Sequence, residues 1–154
     1  MRLVIQRVIN ASVKINNEVF SAIDKGLLVL LGIEEEDTEA DVLYLTQKLI
    51  AMRIFSDADE KMNLDVKQIY GNVLIVSQFT LFADTKKGNR PSFIKAAKPN
   101  IAIPLYEKFI TETEKLLQKP CKSGSFGANM QVELINDGPV TIILDSKTNL
   151  KQTD

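Results

Sequence analysis

The chain has 154 residues, 45% of them hydrophobic and 25% charged, with a net charge of −1 at neutral pH. That length fits one domain whose folding buries roughly 68–70% of the unfolded surface, and the composition is ordinary for a soluble globular protein. Histidine is absent and Cys121 is the only cysteine, which excludes an internal disulfide and a Ser-His-Asp or Cys-His mechanism, and argues against a zinc hydrolase.

No apolar run approaches the ~20 residues that span a bilayer. The opening Met1-Arg2-Leu3-Val4-Ile5-Gln6-Arg7 lacks the long apolar core and small-residue cleavage site of a signal peptide, so a cytoplasmic protein is expected. Residues 2–9 read as a strand, because Leu3, Val4, Ile5, Val8 and Ile9 supply mostly β-branched bulk. Asn10-Ala11 predicts a turn or bulge. Residues 12–15 alternate polar and apolar, Asn16-Asn17 predicts a tight hairpin turn, and residues 18–23 pair back. After the turn at Lys25-Gly26, residues 27–33 are almost continuously apolar, which predicts a strand buried on both faces.

Asp37 or Thr38 is placed to cap a helix. Beyond it Val42, Leu45, Leu49 and Met52 fall at helical spacing, and acids in the first turn suit the positive end of the helix dipole. Residues 53–55 read as a short strand. Residues 56–63 read as a surface loop; Asp57-Ala58-Asp59 hints at calcium, but an EF-hand wants Gly at its sixth position and Glu at its twelfth. Residues 64–72 predict weak pairing, and residues 73–76 a buried strand. The segment 85–98 is a loop marked by Gly88 and Arg90-Pro91. Ile101, Leu105, Phe109, Leu116 and Leu117 predict a second amphipathic helix, beginning near Pro99 or Pro104 and stopped by Lys119-Pro120. A Gly/Ser loop at 122–127 contains Phe126, and residues 128–135 and 140–145 are closing strands.

The fold class is therefore α+β: an antiparallel β-rich, barrel-like single domain over residues 1–145, with two amphipathic helices. A polar tail, 146–154, is expected to fray. Exposed sheet edges need cover, which favours a homodimer.

Charge is segregated along the chain. Residues 34–41 carry six acids, and residues 84–98 carry five bases against one acid. Each reads as a solvated surface, or the second, with Lys86, Lys87 and Arg90, as a patch for phosphates. Cys121 has no histidine to activate it and reads as inert.

Two stretches hold the candidate chemistry. Ser77-Gln78-Phe79-Thr80-Leu81 leaves a buried strand with two hydroxyls and a carboxamide. These groups either tie down a turn or form a site aimed by a rigid element. Thr80 without a base is a poor nucleophile, whereas main-chain N–H groups around Phe79 and Thr80 suit an oxyanion hole. In Asn136-Asp137-Gly138-Pro139-Val140-Thr141, Gly138 admits backbone angles closed to other residues and Pro139 fixes φ and lacks an N–H. This is either a hairpin turn or a rigid main-chain probe for a small ligand.

Together these two stretches resemble the signature motifs of the D-aminoacyl-tRNA deacylases. The likeness extends to Gln6-Arg7-Val8, Ala11-Ser12-Val13, Gly26-Leu27-Leu28-Val29-Leu30-Leu31-Gly32, Arg53-Ile54-Phe55-Ser56-Asp57, Lys61-Met62-Asn63-Leu64, Arg90-Pro91-Ser92-Phe93 and Met130-Gln131-Val132. Only the tail after about Asp145 falls outside it.

The resemblance implies hydrolysis of the ester joining a D-amino acid to the 3′-terminal adenosine of tRNA, and of glycyl-tRNA mischarged on tRNA(Ala), as a chiral proofreading step. It implies a homodimer with the site at the subunit interface. The Gly138-Pro139 peptide would be cis and would reach into the partner's site, where its carbonyls reject L-aminoacyl-tRNA. Ser77, Gln78, Phe79 and Thr80 would line the pocket, Arg7 would hold the Gly-Pro carbonyls, and Phe126 and Met130 would lie near the adenosine. Aminoacyl-tRNA is the partner; no metal, cofactor, membrane or DNA is implied. Whether Thr80 is nucleophile or scaffold stays open. The alternatives are a non-catalytic module that binds the tRNA 3′ end, and a plain dimerising domain.

Overall fold

The structure, a computed structural model, describes residues 1–150. Among them the alternating N-terminal residues form one long strand, β1 (Arg2–Ile15). Asn16 and Asn17 both take positive φ, 52° and 66°, a tight turn that short polar side chains tolerate, and β2 (Glu18–Ile23) returns along β1. The continuous apolar run becomes β3 (Gly26–Gly32), paired antiparallel with the first half of β1. Between Val8 and Asn10 the pairing of β1 shifts register, so the feature expected at Asn10-Ala11 is a bulge beside it.

Thr38 caps α1 (Glu39–Ala51), and Asp41 answers it by accepting the Thr38 N–H at 2.8 Å. Val42, Leu45 and Leu49 are fully buried on the inner face of α1. A small hairpin follows, β4 (Phe55–Ser56) and β5 (Met62–Leu64), closed over the Asp57 loop. Then β6 (Asn72–Ser77) enters the main sheet parallel to β3. The second helix, α2 (Pro99–Leu117), starts at the earlier of the two prolines and ends on Gln118 in the left-handed conformation. Short β7 (Lys122–Ser123) joins β6 in parallel, and β8 (Gln131–Asp145) runs antiparallel along almost the whole of β1.

The main sheet has the order β2-β1-β3-β6-β7, with β8 on β1. Most pairing is antiparallel, as short connections predict, but β3–β6 and β6–β7 are parallel. Both β3 and β6 follow the pattern of strands covered on two faces. One apolar cluster lies between the sheet and the helices and contains Leu3, Ile5, Val29, Leu45 and Phe109. The other fills the concave side, with Val8, Val13, Leu28, Leu74 and Val76. The sheet curls until its ends meet, and the Ser21 hydroxyl of β2 donates to the Ser123 carbonyl of β7 at 2.7 Å.

The polar tail begins as a short helix, α3 (Ser146–Leu150). Ser146 is fully buried, donating to Asp41 at 2.6 Å and accepting from the Met1 ammonium at 3.0 Å. Residues 151–154 lie outside the described residues. Two members of the acidic run, Asp37 and Asp41, are also buried here, so that run is only partly a solvated face. Among the described residues no helix is long and apolar enough to cross a membrane.

Candidate active site

β6 delivers Ser77 to the C-terminal edge of the parallel strands, and the chain then turns through a single 3-10 turn, Phe79–Phe82. The turn is fixed at its entry by the Gln78 N–H, which donates to the Leu31 carbonyl of β3 at 2.8 Å. It packs directly over Gly32, where an added Cβ would stand 2.9 Å from Leu81 Cβ and 3.1 Å from the Gln78 carbonyl. Glycine is required at that position by this close approach.

Beside the turn is a cavity of about 280 Å³. Leu31, Ile33 and Val76 form its apolar base, and Ser77, Gln78 and Phe79 form one rim. Phe126, Met130 and Val132 form the opposite wall, and Ala97 and Ala102 close it on the α2 side. Tyr106 supports this wall from behind: its ring lies 5.6 Å from that of Phe126, and its hydroxyl donates to the Ile75 carbonyl at 3.2 Å. Burial pushes the Tyr106 phenol up, so it stays protonated. Gly124 leaves room for Met130, whose sulfur would stand 2.5 Å from a Cβ there.

No ionisable side chain lines the cavity. The Gln78 carboxamide donates to Thr80 Oγ1 at 2.5 Å, and the Thr80 side chain points from an exposed residue just outside the lining set. Among the described residues no acceptor takes the main-chain N–H of Phe79 or Thr80. Those two donors, at the start of the turn, are the strongest polar resource the site presents. Cys121 is no nucleophile, since burial and the neighbouring Glu114 carboxylate push its thiol up to about 12. Among the described residues no group of three or more Cys, Asp or Glu side chains is placed to hold a metal ion.

The structure thus gathers Ser77, Gln78, Phe79, Phe126 and Met130 around one cavity. It does not bring Arg7, Gly138 or Pro139 to it. Those three lie at the seam between β1 and β8, where residues 137–140 loop out opposite Arg7 while Asn136 and Thr141 keep their pairing with Val8 and Gln6. The chain does not reverse at Gly138-Pro139, so the hairpin reading is corrected: β8 continues through a wide bulge. The Gly138-Pro139 peptide is cis, Gly138 has φ +128°, and both residues are exposed.

Arg7, only 9% exposed, anchors the bulge from beneath. Its Nε donates to the Asp137 carbonyl at 3.1 Å and its Nη1 to the Ile54 carbonyl at 2.7 Å. It therefore holds the residue before the Gly-Pro pair, and no side chain among the described residues donates to the Gly138 or Pro139 carbonyl. Asn136 has a role that its place in the motif did not disclose. Its Nδ2 donates to the Val140 carbonyl at 3.0 Å, pinching the base of the bulge.

Lys86, Lys87 and Arg90 are exposed on the loop after the 3-10 turn and make no ion pair among the described residues. The base of that loop is closed by reciprocal main-chain bonds between Asp84 and Ser92, at 2.7 and 2.9 Å. Phe93 then packs edge-on against Phe79 at 5.1 Å, tying the basic loop to the cavity rim.

A family model described as D-Tyr-tRNA(Tyr) deacylase matches residues 4–145. A protein of Akkermansia muciniphila named D-aminoacyl-tRNA deacylase is 63% identical over 147 residues, covering 96% of this chain and 98% of its own. One of the same name from Flavobacterium psychrophilum is 58% identical over the same shares. A solved structure named c-Myc DNA Unwinding Element Binding Protein superposes with a TM-score of 0.89 at 41% identity, covering 94% of this chain and 98% of that one.

Proposed function

The chain belongs to the D-Tyr-tRNA(Tyr) deacylase family, and we propose that it hydrolyses D-aminoacyl-tRNA at a site made by two copies of itself. The observation that carries this reading is the separation of two halves. One half is a cavity lined by Phe79, whose main-chain N–H and that of the adjoining Thr80 have no acceptor among the described residues. The other is an exposed Gly138-Pro139 bulge whose carbonyls no side chain among the described residues engages. The bulge stands on β8, a 15-residue strand that among the described residues pairs only with β1. Ile9, Ile135 and Ile143 on that seam are 52%, 51% and 66% exposed. An unpaired edge with apolar side chains is a surface that wants a partner, and a second copy brings its own bulge to the cavity.

In that arrangement the two carbonyls accept hydrogen bonds from the substrate's α-ammonium, a charged donor with no acceptor capacity. The ester carbonyl lies against the Phe79 and Thr80 N–H groups, which stabilise the oxyanion as it forms. With both ends pinned, the α-carbon has one orientation left. A D side chain projects into open space and an L side chain meets protein, so L-substrates are rejected by collision. Glycine has no side chain to collide, so glycyl-tRNA passes. The ribose 2′-OH next to the ester helps position the attacking water, which replaces a side-chain base and distinguishes RNA from DNA. Phe126 and Met130 hold the terminal adenine, and Lys86, Lys87 and Arg90 hold tRNA phosphates.

The test is to incubate purified protein separately with D-tyrosyl-tRNA and L-tyrosyl-tRNA. Release of D-tyrosine alone is expected. Binding of both with release of neither overturns hydrolysis in favour of a tRNA-end binding module.

A further inference from the structure

We propose that Arg2 is a positioning residue for the reaction, acting through the 3-10 turn that presents the Phe79 and Thr80 N–H groups; this rests on the hydrolytic reading above. Arg2 sits in the first pair of β1, with Gly32 of β3 on one side and Asp145 of β8 on the other. Its Nη1 donates to the Leu81 carbonyl at 2.7 Å. Its Nε and Nη2 both donate to Asp145 Oδ2, at 3.0 and 2.9 Å. The guanidinium carbon lies 4.8 Å from the centroid of the Phe82 ring, and Phe82 is only 6% exposed.

Each contact removes a different freedom. The two bonds to one Asp145 oxygen and the ring face together fix the plane of the guanidinium. The remaining nitrogen is then aimed at the Leu81 carbonyl. A four-residue 3-10 turn has little stability of its own, so its geometry is set by its anchors. The entry is held by Gln78 on Leu31. Arg2 holds the exit, and the two unused donors lie between. Oxyanion donors act on charge that exists only in the transition state, so a small displacement reads in kcat more than in KM. Lysine cannot replace Arg2, because one ammonium on a flexible stem does not fork to Asp145 while also reaching Leu81.

The experiment is steady-state hydrolysis of D-tyrosyl-tRNA by the full chain and its Arg2→Ala, Arg2→Lys and Asp145→Asn variants. Arg2→Ala should lower kcat roughly 10- to 100-fold with KM little changed. Arg2→Lys should stay well below wild type. Asp145→Asn should lower kcat by less, and adding it to Arg2→Ala should cost little more, since both act through one contact. A variant that only loses thermal stability while keeping wild-type kcat overturns the proposal, as does full rescue by Arg2→Lys. If Arg2→Ala does not fold, Asp145→Asn decides: wild-type kcat there overturns the role. Absence of turnover by the wild-type chain overturns the hydrolytic reading itself, and the role with it.

Discussion

The Nε of Arg7 donates to the main-chain carbonyl of Asp137 at 3.1 Å, so a buried cation on β1 fixes the residue that precedes the exposed Gly138-Pro139 pair. The same guanidinium satisfies the Ile54 carbonyl at 2.7 Å. Arg7→Ala leaves both carbonyls short of a donor and should cost about 2 kcal/mol of stability, read from the urea midpoint. D-tyrosyl-tRNA turnover should fall by roughly 100-fold, because the carbonyls of the bulge lose their support. Wild-type turnover in a folded Arg7→Ala protein contradicts this.

No ionisable side chain lines the cavity beside Thr80, and the Thr80 oxygen already accepts from Gln78 at 2.5 Å. A hydroxyl without a base is a weak nucleophile at neutral pH. Thr80→Ala should therefore retain turnover within roughly tenfold of wild type, since the main-chain donors remain. Loss of all activity, or a covalent tyrosyl adduct on Thr80 trapped by rapid quench and mass spectrometry, makes Thr80 the nucleophile instead.

Lys86, Lys87 and Arg90 point into solvent from a loop whose base is closed and whose end packs on the cavity rim. Changing all three to Gln should weaken tRNA binding and reduce the slope of log K against log salt by about 2 to 3. A slope equal to wild type removes them from the tRNA interface.

Asp41 links the start of α1 to the start of α3. Burial alone would raise its carboxyl, but the Ser146 hydroxyl, the Thr38 N–H, Lys147 and the Met1 ammonium together hold it below its ordinary 3.8. A carboxyl lowered in the folded state adds stability above its unfolded pKa, and that stability is lost as pH falls through the folded value. Urea denaturation at neutral pH and at successively lower pH, down through and below 3.8, should show wild type losing more stability than Asp41→Asn. Equal acid sensitivity of the two proteins contradicts this.

Much of the framework is legible in residue order. Asn16-Asn17 marks a turn by its chemistry, and Val42, Leu45 and Leu49 mark a helix by their spacing. The unbroken apolar runs of β3 and β6 mark strands covered on both faces, but not their parallel pairing, because burial leaves strand direction to the long connection through α1. The path of β8 is not legible in this way. A Gly-Pro between two apolar runs looks like a reversal, and only contacts from Arg7 and Asn136, distant partners in the fold, turn it into a bulge. Arg2 and Gly32 are likewise silent in the sequence, since their importance is the single turn of chain that lies over both. Ser146 belongs to a polar segment yet is buried, because its hydroxyl meets a carboxylate and an ammonium that its neighbours in sequence do not supply.

The most direct measurement is turnover by a mixed dimer isolated with two different tags. One chain carries Gly32→Ala, whose Cβ displaces the 3-10 turn and disables its cavity. The other carries Arg7→Ala, which unseats its bulge. If each cavity is completed by the other copy's carbonyls, the mixed dimer has one intact site and should hydrolyse D-tyrosyl-tRNA at about half the wild-type rate per dimer, still sparing the L-form. A mixed dimer no more active than its two parents contradicts a shared site.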